Sequence, residues 1–248
     1  MRYVATLTTV FTVMATATTA VAQDSTISQS FMSTVSLGDI PAFEAAYLRH
    51  IDWHRNQNDS WRWDMWATVT GELGAYFIVT GGHTWSDFDS PPVDPAADGA
   101  DAMEQFGSLV SSVSSGFAQV LVDVSRPGGT AEEMPLAHVI DYKVKVGREA
   151  DFMAVVRKFN EAAEKANWEQ NYVWVANVSG GTAQYVLVLQ HANFASMAPP
   201  AKNAEAIMED AFGAQEAEML IEMLEDIVES WTEQMWQYRP DLSYVPGM

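Results

Sequence analysis

The chain of 248 residues contains no cysteine. That absence removes disulfides, thiolate nucleophiles, iron–sulfur clusters and cysteine-ligated zinc from consideration. Basic residues are scarce: 13 Lys and Arg stand against 33 Asp and Glu, for a formal net charge of −20. A field of that sign repels nucleic acid and anionic membrane surfaces, and no basic stripe with interleaved aromatics offsets it. No apolar run reaches the ~20 residues that a bilayer-spanning helix needs. There is no G-x-S-x-G elbow, no P-loop and no G-x-G-x-x-G fingerprint, so the chain offers no phosphate or dinucleotide cradle. Apolar residues, by contrast, are plentiful. A hydrophobic content of 48% with nine tryptophans is ample for a packed core, and global disorder is excluded.

The first residues form a unit of their own. Arg2 precedes a moderately apolar run, no further charge occurs until Asp24, and Ala20-Val21-Ala22 offers an A-x-A cleavage site. This is the layout of a secretory signal peptide cleaved after Ala22, and it predicts a secreted or periplasmic protein. The threonines in the apolar run leave a plain N-terminal strand as the competing reading.

Two phrases repeat. "GGHTWSDFDSPP" at 81–92 is answered by "LQHANFASMAPP" at 189–200, with His191 lying 108 residues after His83. Gly38 and Phe43 find Gly147 and Phe152 at an offset of 109, Trp66 finds Trp174 at 108, and Tyr76 finds Tyr185 at 109. A tandem duplication follows, with repeats over 23–126 and 136–248 and a linker at 127–135. Hydrophobic periodicity reads each copy as β-α-β-β-α-β. In copy one, strands fall near 31–37, 63–70, 75–81 and 119–125, with helices near 40–57 and 101–114. In copy two, strands fall near 138–146, 171–178, 184–190 and 233–240, with helices at 149–165 and 204–231. The last helix carries ten Asp or Glu between Glu205 and Glu233 and no Lys or Arg, the pattern of a solvated face or a partner surface.

A β-α-β-β-α-β unit makes a four-stranded antiparallel sheet with both helices on one face, so the other face must be covered. Two such sheets packed face to face cover each other. The expected fold is therefore α+β: two tandem ferredoxin-like repeats forming a pseudo-dimeric α+β barrel with helices outside. Over residues 28–240 the chain resembles the dimeric α+β barrel (ferredoxin-like) superfamily in tandem-duplicated form. The "HTWSDF" phrase at 83–88 is similar to a segment of antibiotic-biosynthesis-monooxygenase-like and NIPSNAP-like domains. The resemblance implies a ligand in the cavity between the sheets or at its mouth, and three functions remain open. One is an exported soluble protein, monomer or weak homodimer, that binds a small apolar or aromatic molecule. Another is a cofactor-independent monooxygenase-like enzyme acting on a quinol-like substrate. A third is an interaction protein using its acidic helix. Haem binding, as in chlorite-dismutase-like and dye-decolourising relatives, would require ligand motifs that the chain lacks, so no cofactor is expected.

Strand alternation nominates the lining. It points Trp66 and Trp174 into the space between the sheets as a pseudo-twofold pair, with Tyr76 and Tyr185 as a second pair; the alternative is that all four fill core volume. His83 and His191, just past their third strands, are either inherited structural contacts or acid–base groups at a cavity mouth. His50 and His54 stand four apart on one helix, a spacing able to chelate a metal. They lack the HExxH glutamate and an obvious third ligand, and they correspond to Phe159 and Ala163 in the second copy, which points instead to buried, hydrogen-bonded histidines. Asp141, Lys143 and Lys145 share a strand face, as a salt bridge or a proton-transfer pair.

Overall fold

The computed structural model describes residues 26–180 and 183–247. The leader expected over residues 1–22 lies outside the described residues. The first half runs β1 (Ile27–Val35), α1 (Ile40–Gln57), β2 (Asp64–Thr68), β3 (Ala75–His83), α2 (Pro95–Phe106) and β4 (Val110–Val120). The second runs β5 (Leu136–Val144), α3 (Glu149–Lys165), β6 (Asn171–Ser179), β7 (Tyr185–His191), α4 (Ala204–Phe212), α5 (Ala214–Ile227) and β8 (Val228–Tyr238). The strands are ordered β1-β3-β2-β8-β5-β7-β6-β4, and β4 returns to β1, closing an antiparallel barrel. The two sheets face each other as expected, and their edges are also joined by hydrogen bonds: β2 pairs with β8, and β4 with β6. Among the described residues no helix is long and apolar enough to cross a membrane.

Several boundaries differ from expectation, each for a local reason. The helix expected near 101–114 is α2, which starts earlier because Asp94 caps it, accepting from the Ala96 amide, and Pro95 occupies its first turn. The Val-Ser alternation that follows belongs to β4 and suits a strand better than a helix. The long helix expected near 204–231 is two helices broken at Gly213, where φ is +86°, a conformation that L side chains rarely adopt. Trp231, the last residue of that expected helix, is an exposed residue of β8. The acidic run has partners: Asp210 pairs with Lys202, Glu216 with Lys158, Asp226 with Arg148 and Glu229 with Lys143.

The barrel separates two kinds of interior. Its lumen is packed by Ala75, Ala137 and Trp236, with Trp66, Phe77, Val139 and Val188 against them. Between sheet and helices lie two larger cores, one per half. Phe43, Tyr47, Met65 and Tyr76 belong to the first; Phe152, Tyr172, Trp174 and Ile207 belong to the second. The halves exchange their ends across the barrel. After β4 the chain crosses to the second half, where Val124 is buried and Arg126 donates to the Ala163 carbonyl on α3 (2.9 Å). After β8 it crosses back: Arg239 forks onto Glu44 of α1, and Leu242 and Tyr244 enter the first core.

Two expectations follow. Leu242 is fully buried in the opposite half's core, so Leu242→Ala should cost about 2–5 kcal/mol in urea denaturation, as a single transition that takes both halves with it. Asp141 shares the lumenal strand face of Val139, while Lys143 is occupied by Glu229 (2.7 Å). Burial raises the Asp141 carboxyl above its ordinary value despite hydrogen bonding with Thr232 and Gln234. The folded state thus holds that proton more tightly than the unfolded chain, and stability falls as pH rises from about 4 through the raised value. Asp141→Asn should raise the urea midpoint at pH 7 and leave it nearly unchanged at pH 3.

Candidate ligand cavity and histidine cluster

The first half is not fully packed on its helix side. A cavity of about 660 Å³ lies between α1, α2 and the outer face of the sheet. Phe31, Tyr47, Trp61, Trp63, Phe88 and Phe106 supply much of its wall, and His50, His54, Asp59 and Asp98 form a polar wall. A mainly apolar space of this size with a few convergent polar groups has the composition of a small-molecule site.

Local structure explains the polar wall. The i, i+4 spacing on α1 stacks the two imidazoles on one face, with ring centroids 4.6 Å apart. Asn58 ends α1 in the left-handed conformation (φ 54°), and its amide returns to the Arg55 and His54 carbonyls. That turn brings Asp59 back beneath His54. Asp98 and Asp101 occupy one face at the start of α2, three residues apart. His54 Nδ1 donates to Asp59 Oδ2 (2.8 Å), and His50 Nδ1 donates to Asp101 Oδ2 (2.7 Å). Both supporting carboxylates are themselves held: Asp59 also accepts from the Trp61 amide and Trp63 Nε1, and Asp101 accepts from Gln105, which accepts from Arg49. With both Nδ1 atoms donating, the Nε2 atoms point at each other across 3.2 Å. Asp98 Oδ1 joins them, 3.2 Å from His50 Nε2 and 3.4 Å from His54 Nε2, without hydrogen-bond geometry to either. Burial opposes charge on His54, but hydrogen bonding to Asp59 and the adjacent Asp98 carboxylate outweighs it and raises the imidazole to about 9. Burial likewise opposes charge on Asp98, and the two imidazoles beside it hold the carboxyl well below its usual range.

Among the described residues, the second half has no counterpart to this wall. An offset of 109, which also relates Asp94 and Asn203, the residues that cap α2 and α4, carries His50, His54 and Asp98 onto Phe159, Ala163 and Ile207. There Phe159 packs on Trp168 (5.4 Å) and Tyr172 (5.5 Å), and Ala163 and Ile207 are completely buried.

No family model matches the sequence, and no curated protein matches it. Solved structures do. An anthrone oxidase-like protein superposes with a TM-score of 0.56 at 8% identity, covering 91% of this chain and 95% of that one. A proposed monooxygenase from Lactobacillus acidophilus gives 0.55 at 10% identity, with 90% and 98% covered. A chlorite dismutase variant from Candidatus Nitrospira defluvii gives 0.52 at 10% identity, with 88% and 93% covered. The fold is the dimeric α+β barrel, with both halves in one chain. At such identities the likeness concerns the fold alone. Among the described residues, the cavity lining includes no Lys or Arg to pair with the propionates of a haem.

The structure rearranges the expected site. The cavity lies outside the barrel, between sheet and helices, because the lumen of this barrel is filled by its own side chains. Trp66 is lumenal, against Tyr238 (5.3 Å). Trp174 faces the helices instead, against Phe152 (5.8 Å) and Tyr142 (5.7 Å). The reason is register. Ala67 pairs with Tyr76 and Ala176 with Tyr185, so the strand offset is 109, and Trp174 corresponds to Met65. A shift of one residue exchanges the faces of a strand. Tyr76 and Tyr185 are also on the helix side, against Phe43 (4.8 Å) and Phe152 (4.7 Å); neither lines the lumen. His83 is bonded to Thr80 (2.6 Å) and packs on Trp61 (4.1 Å), and His191 holds the Ser196 carbonyl (3.1 Å). Burial lowers both imidazoles. His191 ties its strand to the following turn, whereas the His83 hydrogen bond stays within β3 and its ring packs on Trp61 and Phe88, both of which line the cavity. His50 and His54 are brought together, and their third neighbour is Asp98. Asp59, Asp98 and Asp101 escaped sequence reasoning. For Asp59 and Asp98 the available signal was a polar residue in one copy answered by an apolar one, Trp168 or Ile207, in the other; Asp101, answered by Asp210, gave none.

Asp59 satisfies three donors while buried. Asp59→Ala should therefore cost about 3 kcal/mol or more in chemical denaturation. The double variant with His54→Leu should lose less than the sum of the two single losses, because it removes both ends of the pair.

Proposed function

We propose that this is an exported protein that takes a planar aromatic molecule into the helix-side cavity of its first half and oxidises it with dioxygen. The observation that carries the reading is the asymmetry of the duplication: one half keeps an aromatic-walled space of about 660 Å³ with a single polar wall, and the other fills the equivalent layer with side chains and keeps a smaller pocket of about 180 Å³ beside Trp168. Export is supported by the leader-like residues 1–22. Oxidation is supported by fold neighbours described as a proposed monooxygenase and as anthrone oxidase-like. The polar wall sits where a hydroxyl or carbonyl of a bound ring would need a partner.

Anthrone is a suitable first probe. Its oxidation by one dioxygen yields anthraquinone and one water, with atoms and electrons balanced. Anthrone should quench the tryptophan fluorescence of Trp61 and Trp63, and an oxygen electrode should record one dioxygen consumed per anthrone. Ala102→Trp, on the α2 wall of the cavity, should weaken quenching at least tenfold. Trp66→Phe and Trp174→Phe should leave it intact, since those indoles lie elsewhere. Quenching without oxygen uptake reduces the reading to a binding protein. Quenching unaffected by Ala102→Trp places the ligand elsewhere, and a Soret band on adding haemin replaces the reading with a haem site.

A further inference from the structure

We propose that His50, His54 and Asp98 bind a divalent first-row transition metal ion at the polar wall of the cavity. Each Nδ1 faces a carboxylate that only accepts, Asp101 or Asp59, so each ring in its neutral form carries its proton there and offers the Nε2 lone pair; the second proton that His54 holds without an ion leaves when one binds. Two lone pairs and a carboxylate oxygen then converge, with separations of 3.2, 3.2 and 3.4 Å. Three electron-rich atoms this close in a buried wall repel one another unless a cation lies between them. A proton shared by the two Nε2 atoms answers only part of this, since Asp98 Oδ1 remains buried without a hydrogen-bond partner.

The spacing suits a metal. An ion about 2.1 Å from each donor sets neighbouring donors about 3.0 Å apart at a right angle and about 3.4 Å apart at the tetrahedral angle. The observed separations fall within that interval or at its upper edge. Two imidazoles and one carboxylate on one side of an ion leave the remaining positions open, the donor set used by mononuclear iron(II) and zinc centres. The supporting shell is complete as well. Each ligating histidine is oriented by a carboxylate through its other nitrogen, the arrangement that fixes tautomer and basicity in metal sites. Those carboxylates are anchored by the Trp61 amide, Trp63 Nε1 and Gln105. The second copy supplies an internal control: the three ligands are replaced together by Phe159, Ala163 and Ile207, as expected if they act as a unit. Because these residues also line the cavity, the open positions face whatever occupies it. That last step rests on the function proposed above; the metal site itself does not.

The test uses the untagged protein, stripped with a chelator and titrated with Co(II) alone. One equivalent should produce the visible absorption bands of a low-coordinate Co(II) centre. Asp98→Asn and His54→Ala should abolish them, and Asp101→Asn should weaken binding about 10–100-fold. The triple variant His50→Phe, His54→Ala, Asp98→Ile installs the second copy's residues; it should retain the near-ultraviolet circular dichroism of a folded chain and bind no Co(II). Absence of a one-equivalent signal in the stripped protein, or an unchanged signal in Asp98→Asn and in the triple variant, would overturn the proposal. Anthrone quenching is read in parallel. Quenching without Co(II) binding overturns the metal site alone; Co(II) binding without quenching supports the metal site and overturns the cavity reading alone.

Discussion

Closure of the sheet is the constraint on which the remaining structure depends. Once β2 meets β8 and β4 meets β6, no edge strand among the described residues is left unpaired, and the enclosed space is occupied by side chains instead of serving as a binding chamber. Trp66, Phe77 and Trp236 fill it. Any room for a ligand must then come from the layer between sheet and helices. There the volume depends on which side chains α1 and α2 direct at the outer sheet face. The barrel thus provides rigidity, and the helices of the first half determine what can be bound.

The two halves show what duplication permits. Both retain the same strand order and the same anchoring of α1 or α3 by an arginine from the other half, Arg239 or Arg126. With the scaffold shared, one copy can be packed for stability with Phe159, Tyr172 and Ile207. The other can tolerate a cavity and a buried cluster of imidazoles and carboxylates, which offer less to folding. Burying Asp59, His50 and His54 is costly unless each is hydrogen-bonded, and the network from Trp61 and Trp63 through Asp59 to His54 meets that requirement.

Much of the architecture was legible in the sequence. Helical periodicity placed α1 and α3, and the phrases at 81–92 and 189–200 revealed the doubling. Strand faces were harder. A spacing of 108 between Trp66 and Trp174 looked equivalent to 109, yet a single residue decides which side of a strand is buried. The break at Gly213 was masked by the apolar periodicity on either side of it. Asp98 was invisible as a partner for His50 and His54 because ligands on different helices meet only through the packing of α1 on α2. The mapping of His50 and His54 onto Phe159 and Ala163 suggested inert burial when read alone. Extended to Asp98 and Ile207 at the same offset, it marks the position where the copies diverged in chemistry.

The return of the last residues to the first half has a temporal consequence. Tyr244 lies 5.5 Å from the His54 ring, and its hydroxyl donates to the Asp59 carbonyl (2.7 Å). The wall behind His54 is therefore finished by residues translated nearly two hundred positions after it. Until Tyr244 has been made and docked, the histidines lack the backing that orients them, so the polar wall is among the last parts of the first half to be completed.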